Sequence, residues 1–205
     1  MLAGDPSNLL ALWHRATARA LLGEGGPALD DFTRLVEAAP GFAAGWREHG
    51  ILLSDLFRFD EALRSLDRAA VLEPDRDVYL NRAIALCFSR RFPEAEWDLW
   101  KAVDLDPEDG NAYWDIAWMY AQRGDAASAV EALRFAARDE ELFARRFGRN
   151  EVLYDVFLAP IRESVEFQTY VARLPPRPFA PEPAARVLRE TTRKAGAGRT
   201  DAPRP

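Results

Sequence analysis

Ala28, Ala62, Ala95 and Ala129 recur at intervals of 34, 33 and 34 residues, and a period of this length confines a chain to repeat architectures. Four residues after each alanine comes a large apolar residue: Phe32, Leu66, Leu99 and Leu133. A further column reads Leu35, Ala69, Ala102 and Ala136, and the first three units then close at Pro40, Pro74 and Pro107. Upstream, Leu12, Trp46, Tyr79 and Tyr113 share a column, followed one turn later by Ala16, Gly50, Ala83 and Ala117. Steps of three and four residues put each set of columns on one helical face. Each unit therefore predicts two amphipathic helices joined by a short turn, such as those at 23–26 and 123–125. Only Gly or Ala fits where the two helices of a hairpin cross closely, which accounts for the small-residue columns. Aromatic and leucine columns fill the space between hairpins, and proline closes the second helix because it cannot continue one. The predicted fold is all-α, a solenoid of four hairpins at about 9–41, 42–75, 76–108 and 109–141.

These columns resemble the tetratricopeptide repeat in its bacterial form, and the resemblance covers roughly residues 9–141. Two departures are local: Arg19 stands where an aromatic or leucine is usual, and Glu141 replaces the closing proline of the fourth unit. A second pattern runs through the same register. Arg15 and Arg82 occupy a first-helix column that usually holds leucine, and only those two units carry an acid, Asp31 or Asp98, at one column of the second helix. His49 and Ile116 are matched there by Ser65 and Ala132. The pattern predicts Arg15–Asp31 and Arg82–Asp98 ion pairs, with charged groups within about 6 Å.

Both ends of the array read differently. Pro6 stands 34 residues before Pro40, so residues 1–8 read as the remnant of a preceding repeat. Residues 140–147, 150–158 and 164–174 read as short helices, the last with Ser164 as its N-cap. Together 142–174 form a helical C-terminal cap over the last apolar face. Residues 172–205 hold seven of the 14 prolines and eight basic residues against three acids. They carry +5 of a chain whose net charge is −6, which leaves −11 on residues 1–171. Residues 175–205 are accordingly expected to be a disordered tail. No nucleic-acid partner is expected, because the acidic body repels phosphate and no aromatics interleave with the tail arginines. The opposite charges of tail and body give one functional reading, autoinhibition, in which the tail lies against the body in a contact that salt loosens. Arginine supplies 25 of the 27 basic residues, the usage of a GC-rich bacterial genome.

No apolar run approaches the roughly 18 residues of a membrane span, and the first residues lack the pattern of a signal peptide. One cysteine, Cys87, excludes an internal disulfide, and with only His14 and His49 beside it no Cys/His zinc site can be assembled. A cytoplasmic, cofactor-free protein is expected, with no metal and no membrane contact. Catalytic motifs are absent, so the chain is not expected to be an enzyme. Residues 23–26 lack the strand and lysine of a phosphate loop. In 104–110 the glycine arrives one residue late for a calcium loop, and Pro107 is the repeat's terminator. Cys87, on a first helix, is expected to be a buried, inert thiol.

The resemblance implies that the first helices line a concave groove that binds peptide segments of other proteins. Carried onto this sequence, one groove column is Trp13, Arg47, Leu80 and Trp114, and the next is Thr17, Ile51, Ile84 and Trp118. A groove that grips a C-terminal carboxylate needs several cations and asparagines, whereas this one offers Arg47 and, at its edge, Asn81. Trp114 and Trp118, one turn apart beside Leu80 and Ile84, predict an exposed apolar patch. The expected function is a non-enzymatic scaffold or adaptor that binds an apolar peptide or amphipathic helix, with self-association as a variant. Internal cover of the tryptophans by 150–174 is the opposing expectation. Trp97 and Trp100 are assigned to packing or the convex surface. The rival function is the substrate-docking portion of a larger, truncated enzyme or regulatory protein.

Overall fold

The computed structural model describes residues 6–138, 152–153 and 155–174. Four helical hairpins follow one another: α1 (Pro6–Leu21) with α2 (Gly25–Ala38), α3 (Ala43–Asp55) with α4 (Phe59–Leu72), α5 (Arg76–Phe88) with α6 (Phe92–Leu105), and α7 (Gly110–Gln122) with α8 (Ala126–Ala136). A 3₁₀ turn (Val156–Ile161) and α9 (Val165–Arg173) close the array. α1 begins at Pro6, three residues ahead of the expected start of the first unit. Proline at a first helical position gives up no hydrogen bond.

The repeat columns form the core. Ala28, Ala62, Ala95 and Ala129 are fully buried, as are Phe32, Leu66, Leu99 and Leu133 four residues on. At the crossing of α3 and α4, a Cβ on Gly50 would lie 2.7 Å from Leu66 Cγ, so the column's small residue is a steric requirement. The closing prolines act one residue ahead of themselves. Their ring disfavours helical geometry at the preceding residue, and Ala39, Glu73 and Asp106 leave the helix with ψ of 70°, 92° and 87°. The fourth hairpin has no such proline, and α8 ends at Ala136 with Ala137 N donating to Leu133 O.

Each even-numbered helix packs on the next odd-numbered one, and the odd helices also pack on each other as α1–α3, α3–α5 and α5–α7. Among the described residues the even helices form no comparable row. Helices drawn together on one side curve the stack toward that side, so the odd helices line the concave face.

The cap differs in part from its expected form. Ser164 caps α9 as predicted, accepting from Phe167 N at 3.2 Å. Of the helix expected over 150–158, Val152 and Leu153 are helical, but a 3₁₀ turn takes over at Val156, with Asp155 as its N-cap accepting from Phe157 N at 2.7 Å. Pro160 inside that turn cannot donate the bonds that would extend it as an α-helix. The helix expected at 140–147 and the tail at 175–205 lie outside the described residues. No described helix is long and apolar enough to cross a membrane.

Candidate functional site

Polar side chains first fix how the odd helices sit. Arg15 donates through Nε and Nη2 to the two oxygens of Asp31, each at 2.8 Å, and Arg82 grips Asp98 the same way at 2.7 and 2.6 Å. Both predicted pairs are present. Arg19, unusual at its column, donates a further bond of 2.6 Å to Asp31. The hydrogen bond from Arg15, ahead of the charges around it, holds the Asp31 carboxyl below its ordinary range.

The pairs belong to a wider periodic device. Arg82 also reaches back to Asp67 of the preceding unit at 2.9 Å, so it joins α4, α5 and α6. One unit earlier His49 occupies the same column, with Ser65 Oγ at 2.9 Å and Thr33 Oγ1 at 3.2 Å, joining α2, α3 and α4. Burial, and then the charge of Arg58, lower the His49 pKa. In the fourth unit the column is apolar, with Ile116 and Ala132 buried.

With the helices set in this way, the predicted groove residues separate into three groups. Ile51, Ile84, Trp13 and Trp114 are half-buried on the concave face, while Leu80 is buried in the floor. Arg47 is already engaged, with Asp75 at 3.0 Å and Glu48 at 3.6 Å. Its charge is thus already balanced within the chain. Trp118 corrects the expectation of an exposed pair with Trp114: it is only 7% exposed. Phe157 of the cap and Phe88 of α5 flank its ring, each with centroids at 5.4 Å, and Gln122 holds the 3₁₀ turn in place by donating to Phe157 O at 2.7 Å. Internal cover therefore applies to Trp118.

Extending the groove columns by one further turn identifies residues the sequence reading passed over. Ile51 and Ile84 are followed four positions on by Asp55 and Phe88. Phe88 is 44% exposed and joins a row of aromatic rings along the concave edge. The row runs from Phe57 through Phe59, Phe88 and Trp118 to Phe157, with centroid steps of 6.1, 5.0, 5.4 and 5.4 Å. Asp55, exposed at the C-terminal end of α3, has no ion-pair or hydrogen-bond partner among the described residues, and partial desolvation nudges its carboxyl up. The i+4 rule was the available signal for Asp55 and Phe88. Phe157 gave none, because its place depends on how the cap folds back.

Cys87 also faces this side. It is buried, and desolvation, aided by the negative charge of Asp115, pushes its thiol up to about 12. At neutral pH the sulfur stays protonated and a poor nucleophile. Among the described residues no group of three His, Cys, Asp or Glu side chains is arranged to hold a metal ion.

In fold the chain is a tetratricopeptide-repeat solenoid, and comparisons with known proteins agree. No protein-family model matches it. The inactive TPR repeat-containing thioredoxin TTL3 of Arabidopsis thaliana is 35% identical over 89 residues, a stretch that is 42% of this chain and 13% of that protein. Among solved structures, MamA 41-end from Desulfovibrio magneticus RS-1 superposes with a TM-score of 0.61 at 23% identity, over 70% of this chain and 78% of that one. PilW, a widely conserved type IV pilus biogenesis factor, gives a TM-score of 0.68 at 20% identity, over 81% and 76% of the two chains. Repeat proteins of this kind generally serve as scaffolds for protein interactions.

Proposed function

We propose that the concave face binds an amphipathic helix or apolar peptide segment of another protein, whose apolar side chains lie across Ile51, Ile84, Phe88 and Trp114 and whose single basic residue pairs with Asp55. The protein acts as a non-enzymatic adaptor. The observation that carries this reading is the exposed Phe88 ring beside the half-buried Ile51, Ile84 and Trp114, with the exposed carboxylate of Asp55, unpartnered among the described residues, one turn from Ile51. An exposed carboxylate without an ion-pair partner at the edge of an apolar surface favours a ligand that brings a cation. The engaged Arg47 argues against a C-terminal carboxylate as the main anchor.

Selection of random displayed peptides on the folded protein tests this. The recovered sequences should be apolar at helical spacing with one Lys or Arg. Ile84→Glu, at wild-type helicity, should weaken them more than about tenfold, and Asp55→Asn should remove the preference for the cation. Selected peptides that bind Ile84→Glu unchanged would place the binding surface elsewhere.

A further inference from the structure

A second aromatic surface lies on the outer flank, independent of the groove. Trp97 and Trp100 of α6 are 54% and 44% exposed, a large apolar area for a molecule to leave in water. Tyr79 lies against Trp97 at 6.0 Å, and Trp100 leads through Tyr113 at 6.5 Å to Phe135 at 5.3 Å. The band thus crosses from α5 to α8. Lys101 sits over the Trp97 ring at 5.6 Å and Arg138 over Phe135 at 4.1 Å, while no cation lies over Trp100 among the described residues.

The chain carries a segment suited to this band. Pro175, Pro178 and Pro181 recur every third residue. A polyproline II helix has three residues per turn, so these rings fall on one face. Surfaces lined by aromatic rings recognise such segments, whose stiffness reduces the entropy lost on docking. The segment also departs from the right place. α9 is seated on α8, the helix that carries Phe135, with Tyr170 Oη donating to Leu133 O, and α9 ends at Arg173, its C-cap Leu174 buried directly ahead of Pro175. Nine residues as polyproline II extend about 28 Å, enough to run the band from α8 to α6.

We propose that residues 175–183 of this chain dock on the outer aromatic band as a polyproline II helix, covering Trp100 and the edge of Trp97. The tail is then held on the flank and away from the groove, leaving the concave face open to partners.

The test uses the full chain. Cys87 is buried, so a nitroxide placed on Ala180→Cys labels the tail alone. The six tryptophans supply indole N–H resonances as reporters. The nitroxide should erase the Trp97 and Trp100 peaks and leave those of Trp13 and Trp46. Adding Pro175→Ala, Pro178→Ala and Pro181→Ala should restore them at unchanged helicity. No selective loss, or a loss that persists after the prolines are replaced, would overturn the proposal. So would peak loss in a mixture of isotope-labelled chain with spin-labelled, unenriched chain, since the docked tail would then be a second copy's.

Discussion

The turn inside each hairpin places one residue in the left-handed region, and these residues recur with the repeat: Gly23, Phe57, Arg90 and Gly124, with φ of 77°, 59°, 58° and 77°. Glycine adopts this conformation without strain, whereas a side chain there costs about 1–2 kcal/mol. Arg90→Gly should therefore raise stability by about 0.5–1 kcal/mol after the added chain entropy of glycine is counted. The midpoint of urea unfolding reports it. A fall in the midpoint would mean that the seat of Arg90 over Phe92, at 5.5 Å, outweighs the strain. The repeat register placed these turns correctly, but it did not reveal that two of them hold residues poorly suited to their backbone.

Neighbouring elements are joined by both apolar columns and polar bridges, and the bridges differ in how they answer to pH. Arg82 between Asp67 and Asp98 keeps its charge throughout the physiological range, with its pKa raised chiefly by the hydrogen bond to Asp98. His49 between Thr33 and Ser65 is the bridge that titrates. Its folded pKa lies below the ordinary 6.5, so the neutral ring contributes stability that is complete above 6.5 and lost as the pH falls. The melting temperature of the wild type should exceed that of His49→Gln near pH 7.5, and the gap should narrow toward about pH 5. A gap that widens on acidification would show the protonated ring to be the better bridge. The Arg–Asp pairs were legible as correlated exceptions in two columns, while the links back to Asp67 and Thr33 became evident once adjacent hairpins were stacked.

On the scale of the whole molecule, the cap completes the concave face. Phe157 lies on Trp118 and extends the aromatic row past the last repeat, so the groove ends in a wall contributed by the cap. Phe157→Ala should expose the Trp118 indole, shifting tryptophan emission to the red and increasing its quenching by acrylamide. It should also cost about 2 kcal/mol, less than a fully buried phenylalanine because the ring is half exposed. Unchanged emission would mean that Phe88 alone shields the indole. The two aromatic surfaces also divide the molecule's outward roles. On the two proposals, the groove would take a partner's apolar segment and the flank at α6 the chain's own proline run.

The hairpins, their register, the small residues at helix crossings and the ion pairs were all readable along the chain, because a helical repeat writes each contact at a fixed spacing and uses it four times. Each column can be checked against its copies, and exceptions such as Arg15 with Asp31 stand out. The fate of Trp118, the engagement of Arg47 and the isolation of Asp55 could not be read in this way. They depend on the angle at which one hairpin meets the next and on a cap whose 3₁₀ turn occurs once. A contact made a single time between distant segments leaves no period in the sequence, and its energy depends on which side chains the assembled fold brings within a few ångströms.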